Sequence, residues 1–398
     1  NGLIGDNRSD VHTESESSDE NLRRVNRNVR NNFSQGDNKI VQASFLWRQR
    51  LKKKGRTFSL TGSHKYSDRI SDGFLFSDIY FYDPATGDEL RHDSIDQYKE
   101  SYNKTQTSLA RLVVTEPLFT KTTLELNYTF NRNAYTSDRK SFDKVNGKYE
   151  SLNLAFSNNY TMLFYSNTGG AKIQYNGKKL VTNIGTNVGV SNYIQRDSVG
   201  KKVNHFKYTN LFPSARFTYR FSTQRSLNIN YNGSPQPPSI DQIQPVLQNN
   251  DPLNIVLGNP NLEQAFRHNV SVWFNDFKVL TGRSIWLNAG MNITKNAIVQ
   301  AQSIDSGKRT LQFVNTSGNF NWYSYASYGF KLKKPEINIS VDFNARGNRF
   351  VNFVNDTLNT SDNNNVGLGL VMYRYKENKY SFNVRGNATK SWQRSSIS

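Results

Sequence analysis

Apolar and polar side chains alternate along most of the chain with a period of two residues. In 123–130, Leu124, Leu126 and Tyr128 fall on one side and Glu125 and Asn127 on the other. The same alternation runs through 214–221, 283–293, 336–343, 366–372 and 380–384. A period of two is that of a β-strand with one apolar face. No window keeps a helical period beyond two turns, so the pattern predicts an all-β protein.

The connections between these strands alternate between short and long. Short turns are predicted at 51–55, 118–121, 176–179, 222–224, 275–282, 332–335 and 376–378. Long loops are predicted at about 69–103, 135–165, 195–205, 235–262, 297–310 and 350–364. Such alternation is typical of an antiparallel up-and-down transmembrane β-barrel with turns on one rim and loops on the other. It requires 135–165 to be one excursion, in which the strand-like piece 151–156 forms a hairpin above the barrel.

Composition agrees with a barrel in lipid. Hydrophobic residues make up only 35% of the 398 residues, yet aromatic residues reach 13%. Strands that are apolar on one face, with aromatic girdles at the rims, give this combination. The uncharged runs 151–171 and 310–330 are interrupted by Asn, Ser and Thr and do not predict membrane helices. The first residues lack a signal-peptide pattern, so we expect a fragment or a processed form if the protein is exported.

Two regions are expected from composition. Residues 1–37 are rich in Ser, Asn, Asp and Arg and predict a polar loop or tail, with a basic helix at 22–29 as the alternative. Residues 38–398 predict an outer-membrane β-barrel portion, with about fourteen strands.

The formal net charge of +19 invites a nucleic-acid hypothesis, but the distribution of charge argues against it. Basic residues cluster at the short-turn rim: Lys52, Lys53, Lys54, Arg56, Lys121, Lys178, Lys179, Arg225, Lys331, Lys333, Lys334, Lys376 and Lys379. Many acids lie in the first long loop: Asp68, Asp72, Asp78, Asp83, Asp88, Glu89, Asp93 and Asp96. Cations at a rim reach anionic headgroups and phosphates, so the expected partners are outer-membrane lipid and lipopolysaccharide, not nucleic acid.

The chain around 227–274 contains a proline-rich excursion between two alternating strands. It ends in the sequence Gly258, Asn259, Pro260, Asn261, Leu262, Glu263. Proline at 260 restricts Asn259 to an extended conformation, so this element predicts a rigid corner that aims the chain into the next strand. A direct contact of this corner with a ligand is the alternative.

This stretch resembles the loop that TonB-dependent receptors carry between two late barrel strands, most closely in the Bacteroidetes-type outer-membrane β-barrel family. The residues that carry the resemblance are Pro235, Pro238, Ile243, Gly258, Asn259, Pro260, Leu262 and Glu263. The segments 52–68 and 114–133 also look like strand pairs of that family. The resemblance covers about 39–394.

The resemblance implies a receptor of the Gram-negative cell outer membrane that takes up a bulky nutrient. Such receptors have about 22 strands and a lumen filled by a plug. The resemblance also implies a TonB-type energiser and allows a surface lipoprotein as partner. No plug-like segment is recognisable here and about fourteen strands are predicted, so we expect a barrel fragment lacking the plug. Its open sheet edges would leave backbone groups unpaired in lipid, so the fragment alone should not insert stably.

The sequence offers no catalytic constellation. It has no cysteine, no phosphate-binding loop and no nucleophile elbow. The five histidines, His12, His64, His92, His205 and His268, have no metal-ligand partner at i+2 or i+4. His64 and His268 are expected to face the lumen or a rim. We therefore expect no enzyme activity, no metal site and no cofactor.

Ligand contacts are predicted from aromatic and amide side chains in the long loops: Tyr80, Phe81, Tyr82, Gln242, Gln244 and Gln248. Aromatic rings offer stacking surfaces and amides offer hydrogen bonds. The alternative is that these residues pack the loops against each other. For the whole protein, the alternatives are a passive porin or structural barrel, and a secreted soluble β-adhesin, which would need a fixed repeat that is not found.

Overall fold

A computed structural model describes residues 2–243, 247–248, 251, 253–305 and 308–397. All strands of these residues join one sheet of 20 strands, which confirms the all-β prediction. Within the same residues, no helix has the length and apolar character needed to cross a membrane.

Fifteen long strands pair side by side and form the wall. They are β1 (Gly2–Ser18), β2 (Arg24–Arg50), β3 (Thr57–Tyr82), β4 (Glu89–Phe119), β5 (Thr122–Val145), β7 (Asn158–Asn176), β8 (Leu180–Asp197), β9 (Lys202–Ser222), β10 (Arg225–Gln236), β13 (Ala265–Lys278), β14 (Arg283–Lys295), β17 (Asn319–Leu332), β18 (Ile337–Val354), β19 (Thr357–Lys376) and β20 (Tyr380–Ser395).

The remaining elements belong to three excursions from the wall. They are β6 (Lys148–Leu152), helix α1 (Ile240–Ile243), β11 (Leu247–Gln248), β12 (Asn254–Leu257), β15 (Ala297–Asp305) and β16 (Lys308–Thr316). Short 3-10 helices cover Leu154–Phe156 and Val279–Thr281.

Every wall strand is antiparallel to its neighbour and pairs with the next wall strand along the chain. Where an excursion intervenes, the two wall strands that flank it still pair directly, as β5–β7, β10–β13 and β14–β17. Parallel pairing in the described residues always includes an excursion strand: it occurs between β12 and β16 and in the single bridge from β15 to the wall strand β18. The antiparallel up-and-down topology is therefore confirmed, with fifteen wall strands in the described residues where about fourteen were expected.

The predicted short turns are all confirmed. The wall strands are joined on one rim by 51–56, 120–121, 177–179, 223–224, 279–282, 333–336 and 377–379. Left-handed backbone at Gly55, Gly282 and Asn378 closes three of these turns, a conformation that Gly and Asn adopt at low cost.

Four of the six predicted long loops are wrong, because they are paired strands. Residues 69–103 form the upper halves of β3 and β4, which meet at the turn 83–88. The regions 195–205, 297–310 and 350–364 are likewise hairpins, β8–β9, β15–β16 and β18–β19, whose strands run to within a few residues of the tip. The region 135–165 is one excursion, with β6 paired to β5 as a hairpin. The described part of 235–262 combines the end of β10 and the short elements α1, β11 and β12 with irregular connections.

The structure also differs from the polar loop expected over 1–37. These residues form β1 and the first half of β2, paired from Gly2 with Val41 to Ser18 with Arg24. Strand β2 runs through residue 37 without a break. Backbone hydrogen bonding to a neighbouring strand does not require apolar side chains, so a polar sequence forms a strand here once a partner edge is available.

One face of the wall is apolar and exposed. One row of directly paired residues shows how this face continues across eleven strands. The row consists of Leu124, Ile173, Ile184, Ala215, Tyr231, Val270, Met291, Trp322, Gly347, Asn364 and Trp392. Ile173 and Ile184 are 52% and 60% exposed. Exposed apolar side chains in a continuous band define the lipid-facing side of a membrane barrel, called here the outer face.

The opposite, inner face is polar and partly covered. On the upper part of β3 it carries Leu75, Ser77, Ile79 and Phe81, all buried, while the alternating Phe74 and Phe76 remain exposed on the outer face. A transmembrane strand needs only about 9–11 residues to cross the membrane. Wall strands of up to 31 residues therefore extend well beyond it on the long-loop side.

Gly185 marks a close approach between neighbouring strands of the wall. A Cβ at this position would lie 2.3 Å from the carbonyl oxygen of Ala171. We expect Gly185→Ala to destabilise the folded barrel by about 1–3 kcal/mol, because backbone atoms have to shift. Urea unfolding in vesicles measures this. Gly386→Ala is the matched control, since nothing lies within 4 Å of its added Cβ; equal destabilisation of both variants would contradict the prediction.

Candidate functional site

The excursion between β10 and β13 reaches into the space enclosed by the inner face. Leu253 packs in a buried cluster with Ile79 and Phe81 of β3. Asp251 pairs with Arg30 of β2 at 2.9 Å, and Asp241 pairs with Arg139 of β5 at 3.1 Å. Since β2 and β5 lie several strands away from β10 in the wall, the described part of this excursion spans the interior.

The predicted corner fastens the end of the excursion. Asn259 donates from Nδ2 to the Phe313 carbonyl at 2.9 Å, and its Oδ1 accepts from the Asn261 amide at 2.9 Å. The Glu263 amide donates to Asn315 Oδ1 at 2.8 Å. Leu262 is 3% exposed. The short polar side chain of Asn259 thus holds both the turn and the neighbouring strand β16, as Asn commonly does in turns.

A cavity of about 300 Å³ lies on the inner face below the base of this excursion. Wall residues from β4, β5, β7, β8 and β9 form most of it, and Pro237 and Gln264 close it from the excursion side. Its lining is Leu109, Thr129, Asn131, Phe164, Ser166, Thr168, Asn187, Gly189, Ser191, Tyr193, Asn210, Phe212, Pro235, Pro237 and Gln264. The volume is at the lower end of the roughly 300–1,000 Å³ of ligand pockets.

Strand register explains why these side chains converge. Asn131, Ser166 and Ser191 are directly paired across β5, β7 and β8, so they form one row on the inner face. Gly189 in the next row has no side chain; a Cβ there would lie 2.8 Å from the Phe212 ring and 2.7 Å from Thr168 Oγ1. The glycine therefore leaves room for the Phe212 ring to lie close to the wall.

The cavity combines aromatic rings with uncharged polar groups. The Phe164 and Tyr193 rings are 4.7 Å apart at 44°. Asn210 and Gln264 exchange amide hydrogen bonds of 3.3 and 2.6 Å. The Oδ1 atom of Asn131 is buried and has no hydrogen-bond partner in the described residues. No lining residue is charged, so the cavity suits a neutral group that donates hydrogen bonds and presents an apolar edge to aromatic rings.

Cations surround the buried end of the excursion. Arg30 is 15% exposed and its partner Asp251 36% exposed. Burial, with the nearby charge of Arg30, lowers the pKa of Lys99 to about 8. Lys99 lies 20 residues from Phe119, the short-turn end of β4, and is therefore beyond the membrane on the long-loop side. The Asp251 carboxylate offsets positive charge that would otherwise be enclosed by protein.

Lys99 predicts a pH dependence of stability. Below a pH of about 8 it is charged in the folded and unfolded chain, and the folded state carries the full cost of burying that charge. Between about 8 and 10.5 only the unfolded chain keeps the proton, so stability rises with pH, by on the order of 1–2 kcal/mol for a partly exposed group. Melting at about pH 7 and about pH 9.5 should show this rise in the wild type and lose it in Lys99→Met. The control variant Lys140→Met, at an exposed site, should keep the rise in stability. If Lys99→Met showed the same rise as the wild type, Lys99 would not be the group that causes it.

The structure separates the three aromatic residues predicted to contact a ligand. Phe81 lies on the inner face, 7% exposed, in the cluster with Leu253. Tyr80 and Tyr82 alternate to the outer face, where Tyr80 stacks on His92 at 4.4 Å and Arg24 lies 5.1 Å from the Tyr82 ring. Only Phe81 approaches the excursion, and the proposal that these residues bind a ligand stays a prediction.

The predicted glutamines have different surroundings. Gln242 Oε1 accepts from the Ser239 amide at 2.8 Å, and its carbonyl accepts from the Asn259 amide at 2.7 Å, so Gln242 holds the excursion together. Gln248 belongs to β11. Gln244 lies outside the described residues. Pro238 lines a small gap with Tyr193, Ile243 and Leu262, where the excursion packs on the wall.

His64 and His268 lie on the outer face, not towards the lumen. His64 Nδ1 is 2.9 Å from Ser108 Oγ, and His268 Nδ1 is 3.1 Å from the Tyr231 hydroxyl. Outer-face hydrogen bonds to neighbouring strands satisfy these rings. Within the described ranges, no three His, Asp or Glu side chains lie close enough to hold a metal ion.

Two features of the inner face were missed from the sequence. Six asparagines form one row on successive wall strands: Asn232, Asn269, Asn292, Asn321, Asn348 and Asn363. Cations also point inward from many strands: Lys65, Arg69, Arg111, Lys172, Arg216, Arg220, Arg267, Arg346 and Arg385. Strict alternation from the outer apolar residues would have found both, because it assigns every intervening side chain to the inner face.

A wall of antiparallel strands in chain order, apolar outside and polar inside, defines an integral β-barrel membrane protein. The chain matches the model of the outer membrane protein beta-barrel family over residues 49–397 and belongs to that family. It is therefore a protein of the Gram-negative outer membrane.

Solved structures with a similar chain path include three outer-membrane proteins. They are the copper transporter OprC (8% identity, 98% of this chain and 71% of that one, TM-score 0.48), the Serratia marcescens hemophore receptor HasR, as a double mutant with its hemophore HasA and heme (10%, 98% and 76%, TM-score 0.41), and the ferric citrate transporter FecA in the unliganded form (6%, 98% and 70%, TM-score 0.41). No curated protein matches in sequence. The family assignment rests on the match over 49–397 alone.

Proposed function

We propose that this chain is the barrel of an outer-membrane receptor that takes up a bulky nutrient, with a plug domain and a TonB-type energiser as partners. The observation that carries the proposal is the excursion between β10 and β13, which spans the interior and closes a 300 Å³ inner cavity. A wall whose interior is crossed and covered in this way is suited to holding a solute before it passes.

Within this proposal the cavity makes the contacts with the nutrient. Phe164, Tyr193 and Phe212 supply ring faces, and Asn131 and Ser166 supply hydrogen-bonding groups from one register row. Phe81 contributes indirectly, because it holds Leu253 of the excursion in place. The Bacteroidetes type of the receptor and a surface lipoprotein partner are parts of the same proposal.

The test compares solutes that cells remove from a defined medium. Four strains are needed, with and without the full-length gene, each in a TonB-proficient and a TonB-deficient background. We expect a set of solutes to be depleted only when the gene and TonB are both present. Depletion that persists without TonB would contradict energised uptake. Uptake into proteoliposomes by the protein from which the plug has been deleted would contradict it as well.

A passive pore is the second candidate, and the basic inner face favours it. Arginines and lysines inside a channel concentrate anions, and within the described residues Arg111, Arg267 and Arg346 are in no ion pair. In planar bilayers with a salt gradient, a passive pore would give steady currents, and their reversal potential would lie near the equilibrium potential of the anion. The receptor proposal expects the full-length protein to remain closed in the same experiment.

A further inference from the structure

A group of cations and tryptophans shares the outer face of β17 to β20. Register places one row at Phe320, Arg349, Asp362 and Arg394, and the next row towards the short turns at Trp322, Gly347, Asn364 and Trp392. Lys390 lies in the third row beside Val366. Below these rows the same face is apolar, with Phe343, Leu368 and Leu370. We call Arg349, Lys390, Arg394 and the two tryptophans the outer basic patch.

Two of the three cations in the outer basic patch are available for a ligand. Arg349 donates from Nε and Nη2 to the two oxygens of Asp362 at 2.7 and 2.9 Å and lies over the Phe320 ring at 5.4 Å. Lys390 and Arg394 are exposed and are in no ion pair of the described residues. The patch therefore holds one carboxylate against three cations and keeps a net positive charge.

The tryptophans of the outer basic patch are arranged for a membrane boundary. The Trp322 indole lies across Gly347, where a Cβ would be only 2.4 Å from its Nε1. Trp392 is 41% exposed on the neighbouring strand. Tryptophan concentrates at the level of lipid headgroups, because one end of the ring is apolar and the other donates a hydrogen bond.

The height of the outer basic patch agrees with that boundary. Lys390 and Arg394 lie 10 and 14 residues from Tyr380, the short-turn end of β20. With about 3.4 Å per residue and a strand tilt of about 40°, they lie about 25–35 Å above that end. The apolar band of such barrels is about 25 Å tall, and long loops face the outside of the cell. The patch therefore lies at the headgroups of the outer leaflet.

We propose that the outer basic patch binds the phosphate groups of lipopolysaccharide. The outer leaflet presents phosphate at this height. Arginine binds phosphate through two parallel N–H donors of its planar guanidinium, and lysine binds it through its compact ammonium charge. The tryptophans pack against the adjoining acyl chains. The inference depends on the membrane placement of the wall and is independent of the proposed uptake function.

The test is a titration of fluorescently labelled lipopolysaccharide with full-length protein in a neutral detergent. We expect Lys390→Gln/Arg394→Gln to bind roughly thirtyfold more weakly, about fivefold for each cation near an anionic lipid surface. The conservative swap Lys390→Arg/Arg394→Lys should restore binding. The matched control Arg220→Gln/Arg385→Gln removes two cations from the inner face and should stay within about twofold of the wild type.

Competition separates lipopolysaccharide from other phosphates. Unlabelled lipopolysaccharide should displace the probe, whereas inorganic phosphate and phosphatidylglycerol vesicles should not. Displacement by inorganic phosphate or by phosphatidylglycerol at the same phosphate concentration would overturn the proposal, as would equal losses in the outer and inner double variants. The heat-dependent gel shift of folded barrels confirms that each variant is folded.

Discussion

Replacing Asp251 with asparagine should release the excursion from the inner face. Asp251 is the carboxylate that meets Arg30 at 2.9 Å, and Arg30 is only 15% exposed. Removing one partner of a buried ion pair costs about 3–5 kcal/mol, and the partial exposure of Asp251 reduces this to about 2–3 kcal/mol.

Subtilisin cleavage within 237–264 measures this release, because proteolysis follows the population of the opened segment. We expect cleavage of Asp251→Asn to be roughly thirty- to hundredfold faster than that of the wild type. Arg30→Met should have a smaller effect, since the half-exposed Asp251 is then left facing solvent. The control is Glu150→Gln, which breaks an exposed pair with Lys148 at 3.7 Å. Unchanged cleavage in Asp251→Asn would show that the ion pair does not hold the excursion.

A charge on the outer face should destabilise the barrel, whereas the same charge one residue further along should not. Phe343 is on the outer face of β18 and pairs with Leu368, in the middle of the apolar band. Arginine facing lipid near the bilayer midplane costs about 2–4 kcal/mol. Asn344, its neighbour, is on the inner face, where water and polar side chains accommodate charge.

Urea unfolding in lipid vesicles compares Phe343→Arg with Asn344→Arg. We expect the first variant to lose about 2–4 kcal/mol and the second less than about 1 kcal/mol. Both variants introduce arginine on the same strand and at nearly the same depth. A difference in their stability therefore reports which face of the wall the arginine occupies. If the two variants lost equal stability, the assignment of outer and inner faces would be wrong.

The alternation of the sequence was enough to predict the wall within the membrane. Leu124, Leu126 and Tyr128 do share the outer face, and each short turn lies where a run such as 51–55 interrupts the pattern. This works because lipid on one side and water on the other impose a period of two on every crossing strand. The family resemblance added the outer-membrane location, which the match over 49–397 confirms.

The same reasoning failed above the membrane. In 69–82 the strand β3 continues, but water or protein meets both of its faces, so polar residues such as Ser71 and Asp72 no longer signal a loop. Backbone pairing with β2 and β4 maintains the strand there regardless of side-chain polarity. The N-terminal strand β1 was missed for the same reason.

The candidate site could not be predicted from the sequence because its residues are distant in the chain. Asn131, Phe164, Ser191 and Gln264 meet only through the register of three wall strands and the return of the excursion. Tyr80 and Phe81 are adjacent in the sequence but necessarily point to opposite faces of one strand, so closeness in the sequence does not group the residues of one cavity. The excursion itself was recognised, whereas its ion pairs to Arg30 and Arg139 depend on tertiary contacts.

Pairing of wall strands in chain order makes each hairpin a separable unit of the protein. Strands β8 and β9, for example, begin and end on the same rim and meet only β7 and β10 at their edges. Removing or duplicating two such strands would leave the direction and the lipid-facing side of every other strand unchanged. The circumference of the barrel can therefore change in steps of one hairpin during evolution, while the excursion that spans the interior has to be refitted each time.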